Sequence, residues 1–105
     1  MLIGAVTSLA QQRHVAFTFD DLPVAGITDS AEARAINISI LSSLDRHRAP
    51  AIGFVIERSV QELANGQELL SLWVKHGQDL GNHIFSHTIS DNLTAKEFES
   101  GIVAG

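Results

Sequence analysis

The sequence contains no cysteine. That absence removes a disulfide framework, a thiolate metal site, an iron–sulfur centre and a thiol nucleophile, and it leaves the compartment open. No apolar run approaches the roughly 18 residues that a membrane-crossing helix needs. Internal repeats and low-complexity tracts are also missing. Basic residues are in deficit: 7 Lys and Arg against 12 Asp and Glu give a formal net charge of −5, which argues against nucleic acid or an anionic membrane as a partner. What is present is 105 residues, 45% hydrophobic and 18% charged. This is a globular composition, with room for one small domain and a modest core.

The first residues read MLIGAVTSLA. Leu2 to Val6 look like the tail of an apolar signal core, and Ser8-Leu9-Ala10 sets small residues where a signal peptidase reads. A positive n-region is missing and the apolar part is short. Residues 1–12 are therefore either a signal-peptide remnant, which implies a secreted or periplasmic protein, or a frayed terminus or first strand, which fits a cytoplasmic one.

His14 to Phe19 alternates polar and apolar residues and is rich in β-formers, so a strand is expected there. It runs into Asp20-Asp21 and then a loop marked by Pro23 and Gly26. Asp29 or Ser30 can cap a helix, and Glu32 lies three residues after Asp29. Ala33, Ile36, Ile40, Leu41 and Leu44 follow at helical spacing, up to basic residues 46–48 and Pro50. Ala51 to Ile56 is a continuous apolar run, which fits a buried strand of a parallel sheet. Ser59 to Asn65 reads as a short helical turn ended by Gly66. Glu68 to His76 is a second clear helix with Gly77 at its C-terminus, and Gln78 to Leu80 is a third short strand. Thr94 with Glu97 is a capping box for a last helix. The alternation predicts an α/β fold with parallel strands. Three strands neither close a barrel nor cover an open sheet, so the chain is expected to be a piece of something larger, with edges open to self-association.

Two clusters could carry chemistry. Asp20 and Asp21 sit at the C-terminal end of the first strand, where α/β folds build their sites. Adjacent carboxylates repel, and a cation would offset that repulsion; a loop start with one helix-capping Asp is the plainer alternative. His83 and His87 lie just past the third strand, and four-residue spacing on a helical turn would let both reach one metal. Two polar loop histidines are the plainer alternative here. A zincin motif is excluded, because Ile84 stands where that motif needs Glu. His14, His47 and His76 read as a solvent-facing strand residue and two helix-end cations. Strand ends 1 and 3 point the same way in a parallel sheet. Two His and one carboxylate then form a three-ligand site with open positions, leaving a second carboxylate to take a proton from water. The chemistry is metal-assisted hydrolysis of an amide or ester.

Val15 to Pro23 (VAFTFDDLP) resembles the first motif of the polysaccharide deacetylases, the NodB homology domain or carbohydrate esterase family 4. Gly81 to His87 (GNHIFSH) resembles their second motif, and Ile40 to Val55 is similar to the helix and second strand between them. The resemblance implies a (β/α) barrel of which residues 13–105 form the N-terminal part, a truncated one. It implies Asp20 as catalytic base, Asp21, His83 and His87 as ligands of a divalent metal, usually zinc, and an acetylated carbohydrate as substrate. The reaction class is hydrolysis of carbon–nitrogen bonds other than peptide bonds. Two positions depart from the family pattern: Leu22 stands where Gly is usual, and Ile84 where Ser or Thr is usual. The family's later motifs, with an Arg, a groove aromatic and the general-acid His, do not follow after Glu99. The alternative is a non-catalytic metal- or glycan-binding remnant. A response-regulator-like module would explain the acidic pair but gives the histidines no role.

Overall fold

The computed structural model describes residues 3–4, 10–87 and 93–105. Most of the signal-peptide question over residues 1–12 thus falls outside the described residues. Within them run β1 (Phe17–Leu22), α1 (Ser30–His47), β2 (Ala51–Val55), α2 (Glu57–Glu62), α3 (Gly66–Lys75), β3 (Asp79–Asn82) and α4 (Ala95–Ala104). The strands form one parallel sheet in the order β1-β2-β3, with β2 central. The expected α/β alternation therefore holds, and both helical segments expected between β2 and β3 are present. No helix among the described residues is long and apolar enough to cross a membrane.

β1 begins at Phe17, three residues after the alternating pattern starts. Its first partner is Ala51, and the residue before that is Pro50, which has no N–H for a longer ladder. α1 starts where its capping chemistry says it should: the Asp29 side chain accepts from Glu32 N at 2.7 Å. It ends at Arg48, whose left-handed backbone (φ 50°) returns its N–H to Asp45 O and Leu44 O. α2 opens at Glu57, ahead of the expected turn at Ser59. Gly66 does not end that turn; it is the first residue of α3. A Cβ there would collide with the Val60 carbonyl, so the close junction of α2 and α3 requires glycine.

Leu22, Leu41, Leu44, Ala51 and Trp73 form the main core, with Phe19, Ile40 and Leu72 packed around it. Ala33, Leu63 and Leu69 form a second cluster between the helices. β2 is less enclosed than its apolar run suggests. Ala51 is buried, but Ile52, on the opposite face of the pleat, is 39% exposed.

Candidate metal centre

The acidic pair does not sit on a regular strand. Phe19 pairs with Gly53 and Leu22 with Val55, so β1 carries one surplus residue across Asp20 and Asp21. Such a bulge breaks strict side-chain alternation and re-aims a side chain. Asp21 takes a left-handed backbone, φ 63°, which Asp tolerates better than most residues. Asp20 beside it is exposed.

Residues 83–87 form a loop, not the helical turn that the spacing of the histidines suggested. Four contacts shape it. His83 N donates to Val55 O at 2.9 Å, which extends the β2–β3 ladder by one bond. Asn82 Oδ1 accepts from Ile84 N at 2.6 Å, closing a tight side-chain turn while Ile84 is held at φ 74°. Phe85 O accepts from Arg58 N of α2, and Phe85 N donates to Gly101 O of α4, each at 2.9 Å. The imidazoles are thus brought together by backbone anchored to β2, α2 and α4.

The result is convergence across 66 residues of sequence. His87 Nε2 lies 2.8 Å and His83 Nε2 3.4 Å from Asp21 Oδ1. The two rings stand edge to face, their centroids 5.2 Å apart. One ligand atom from each of the three residues lies within 4.8 Å of the others. Zinc bonds of about 2.0–2.2 Å separate tetrahedral ligand atoms by roughly 3.3–3.5 Å. The observed spacings straddle that value, and a two-imidazole, one-carboxylate set is a catalytic rather than a structural donor set. The cluster therefore fits a divalent ion. Asp20 is outside it. His76 is elsewhere, its Nδ1 2.6 Å from Asp45 Oδ2.

A groove of about 340 Å³ opens beside the cluster, lined by Asp21, Gly26, Ile56, Arg58, Glu62 and His87 among others. Arg58 Nε and Glu62 Oε1 pair within it at 3.0 Å. Neither residue stood out in the sequence, since an i,i+4 ion pair on a short helix looks like any solvated face.

The polysaccharide deacetylase family model matches residues 8–104. The peptidoglycan-N-acetylmuramic acid deacetylase PdaC of Bacillus subtilis is 34% identical over 86 residues, covering 82% of this chain and 16% of its own length. The solved PdaC structure superposes with a TM-score of 0.66 at 32% identity, over 85% of this chain and 38% of that one. The Xyl-CE4 domain of a multidomain xylanase from the hindgut metagenome of Trinervitermes trinervoides gives 0.65 at 25% identity, with the same coverage. A mutant of BA3943, a CE4 family pseudoenzyme from Bacillus anthracis, gives 0.65 at 25% identity over 85% of this chain and 28% of that one; the mutant has restored enzymatic activity. The chain thus spans well under half the length of the relatives it matches.

Proposed function

The chain belongs to the polysaccharide deacetylase family, and on that footing we propose that it is a metal-dependent carbohydrate deacetylase, hydrolysing N- or O-acetyl groups of a polysaccharide. The observation that carries this reading is the meeting of Asp21, His83 and His87 at one point beside an open groove. These three residues would hold the ion, and zinc, which such a donor set binds in hydrolases, is the one proposed. When bound, such an ion supplies Lewis-acid polarisation of the acyl oxygen and acidifies water. Asp20 is the base: its carboxylate accepts a proton from the attacking water as the new carbon–oxygen bond forms and the carbonyl π pair moves onto the acyl oxygen. Collapse of that adduct breaks the bond to the sugar nitrogen or oxygen and releases acetate. The exposure of Asp20, and its place next to a ligand but outside the cluster, support that role. The Arg58–Glu62 pair offers donors and acceptors to sugar hydroxyls, and Ile56 offers an apolar surface to a sugar face. An N-acetylated peptidoglycan sugar is the first substrate to try, because PdaC is similar in both sequence and fold.

A second reading is a non-catalytic metal- or glycan-binding protein, since a CE4 family pseudoenzyme shares this fold. The same chain separates the two. Wild type is expected to hold one zinc ion, and His83→Ala and His87→Ala to lose it. Acetate release from acetylated oligosaccharides should fall roughly 10²- to 10⁴-fold in Asp20→Asn with zinc retained. Zinc retained by both histidine variants rejects the site. Zinc and glycan binding without acetate release selects the second reading. Copies of the chain are also proposed to associate through the outer edges of β1 and β3, which carry no strand partner among the described residues.

A further inference from the structure

We propose that Asn37 is a positioning residue for the Asp21 carboxylate, acting through the Pro23 carbonyl; the inference rests on the metal-site reading above. Asp21 holds a left-handed backbone in the middle of a bulge. Such a conformation persists only where the surroundings over-determine it. The chain immediately after it is pinned at two consecutive carbonyls. Leu22 O accepts from Ile56 N at 3.0 Å, and Pro23 O accepts from Asn37 Nδ2 at 2.8 Å.

The second pin is built from an unusual core residue. Asn37 is 1% exposed and sits on α1 among apolar neighbours. Its Nδ2 gives one hydrogen to Pro23 O and the other to Ala33 O, both at 2.8 Å. Its Oδ1 accepts from Trp73 Nε1 at 2.7 Å, and Trp73 is fully buried. The indole can only donate and the two carbonyls can only accept, so the amide has one allowed orientation. An ionised carboxylate has no hydrogen for Pro23 O, and an aliphatic side chain leaves Pro23 O and the indole N–H both unpaired. Asn37 therefore links three elements in series: α3 orients the amide, α1 carries it, and the amide fixes the backbone two residues from Asp21. Support of a ligand from outside the coordination shell commonly sets metal affinity.

The test compares Asn37→Asp, Asn37→Leu and Trp73→Phe with Leu41→Ala, a fully buried change one turn along α1. Two quantities are read on the folded chain. The first is zinc affinity by competition with a chromophoric chelator. The second is amide exchange at Ile56 in the metal-free protein, which reports the Leu22 pin. Both Asn37 variants are expected to weaken zinc by about tenfold or more and to speed Ile56 exchange relative to amides at the far end of α1. Trp73→Phe removes the indole N–H that anchors Asn37 Oδ1 while both carbonyls still hold Nδ2, so the clamp is loosened rather than lost and the change should be smaller and of the same kind. Leu41→Ala should lower the melting temperature yet leave zinc affinity within about twofold. If Leu41→Ala weakens zinc as much as the Asn37 variants do, the role is merely structural and the proposal fails. Should the Asn37 variants not fold, Trp73→Phe with unchanged affinity and exchange overturns it. If wild type binds no zinc, the metal-site reading fails by itself, and Ile56 exchange decides whether the clamp exists.

Discussion

Leu22, standing where the resemblance predicts glycine, is accommodated by a glycine across the sheet. Its side chain is 4% exposed and joins Leu41, Leu44, Ala51 and Trp73 in the core. A Cβ at Gly53 on β2 would run into the Leu22 side chain, so the space Leu22 fills is space that Gly53 leaves. The two residues are a size-matched pair. Leu22→Ala should cost about 2–5 kcal/mol, as a buried leucine truncation does. Gly53→Ala should cost about 1–3 kcal/mol through overpacking. The double variant should be less unstable than the sum, with a coupling of about 1 kcal/mol or more in a denaturant-melt cycle. Strict additivity would show that the two side chains do not share one space.

Helix α4, the next element along the chain, holds the histidine loop. Its N-terminus is a capping box in which Thr94 Oγ1 accepts from Glu97 N, while the Glu97 carboxylate accepts from Thr94 N at 2.8 Å and from its hydroxyl at 2.7 Å. The bond from the Thr94 backbone, and then that from its hydroxyl, hold the Glu97 carboxyl below its ordinary value of 4.5. A carboxyl depressed in the folded state adds stability above its unfolded pKa, and that stability is lost as pH falls through the folded one. α4 should therefore loosen in acid below the usual glutamate range. Its carbonyls accept from Phe85 N and from Asn82 Nδ2, so the histidine loop should loosen with it. Backbone chemical shifts of residues 96–99 followed through an acid titration check this; Thr94→Ala should flatten the curve, and an unchanged curve would refute it. The capping box of α4, the start of α1 near Asp29 and the glycine after α3 were all legible in the sequence because each is a signal of no more than four residues. The start of β1, the bulge at Asp20-Asp21 and the loop geometry at His83 to His87 were not, because each depends on a partner strand or a contact from another helix. Asn37 was missed for a related reason: a polar residue on a helix reads as surface until its buried partners, Pro23 O and Trp73, are known.

At the scale of the whole molecule, the sheet leaves apolar surface uncovered among the described residues. Phe17 is 48%, Ile52 39% and Leu80 36% exposed. An open groove of about 360 Å³, lined by Phe17, Phe19, Ile40 and Leu44, runs along the β1 side. Opposing association is the net charge of −5, which makes copies repel over distances of about a Debye length. The two effects differ in how they answer to salt. Burying one phenylalanine side chain contributes about 1.5–3 kcal/mol at any ionic strength, whereas the repulsion is screened to within about 8 Å at physiological salt. Association should therefore strengthen as salt is added, the reverse of what surface ion pairs would give. Size-exclusion chromatography with light scattering at micromolar to millimolar concentration should show mass rising with both protein and salt. Phe17→Lys with Leu80→Lys puts a charge on each outer strand, the device by which sheets discourage edge pairing. That double variant should stay monomeric at concentrations where wild type does not. A wild type that is monomeric throughout, or whose association weakens in salt, would refute pairing through these edges.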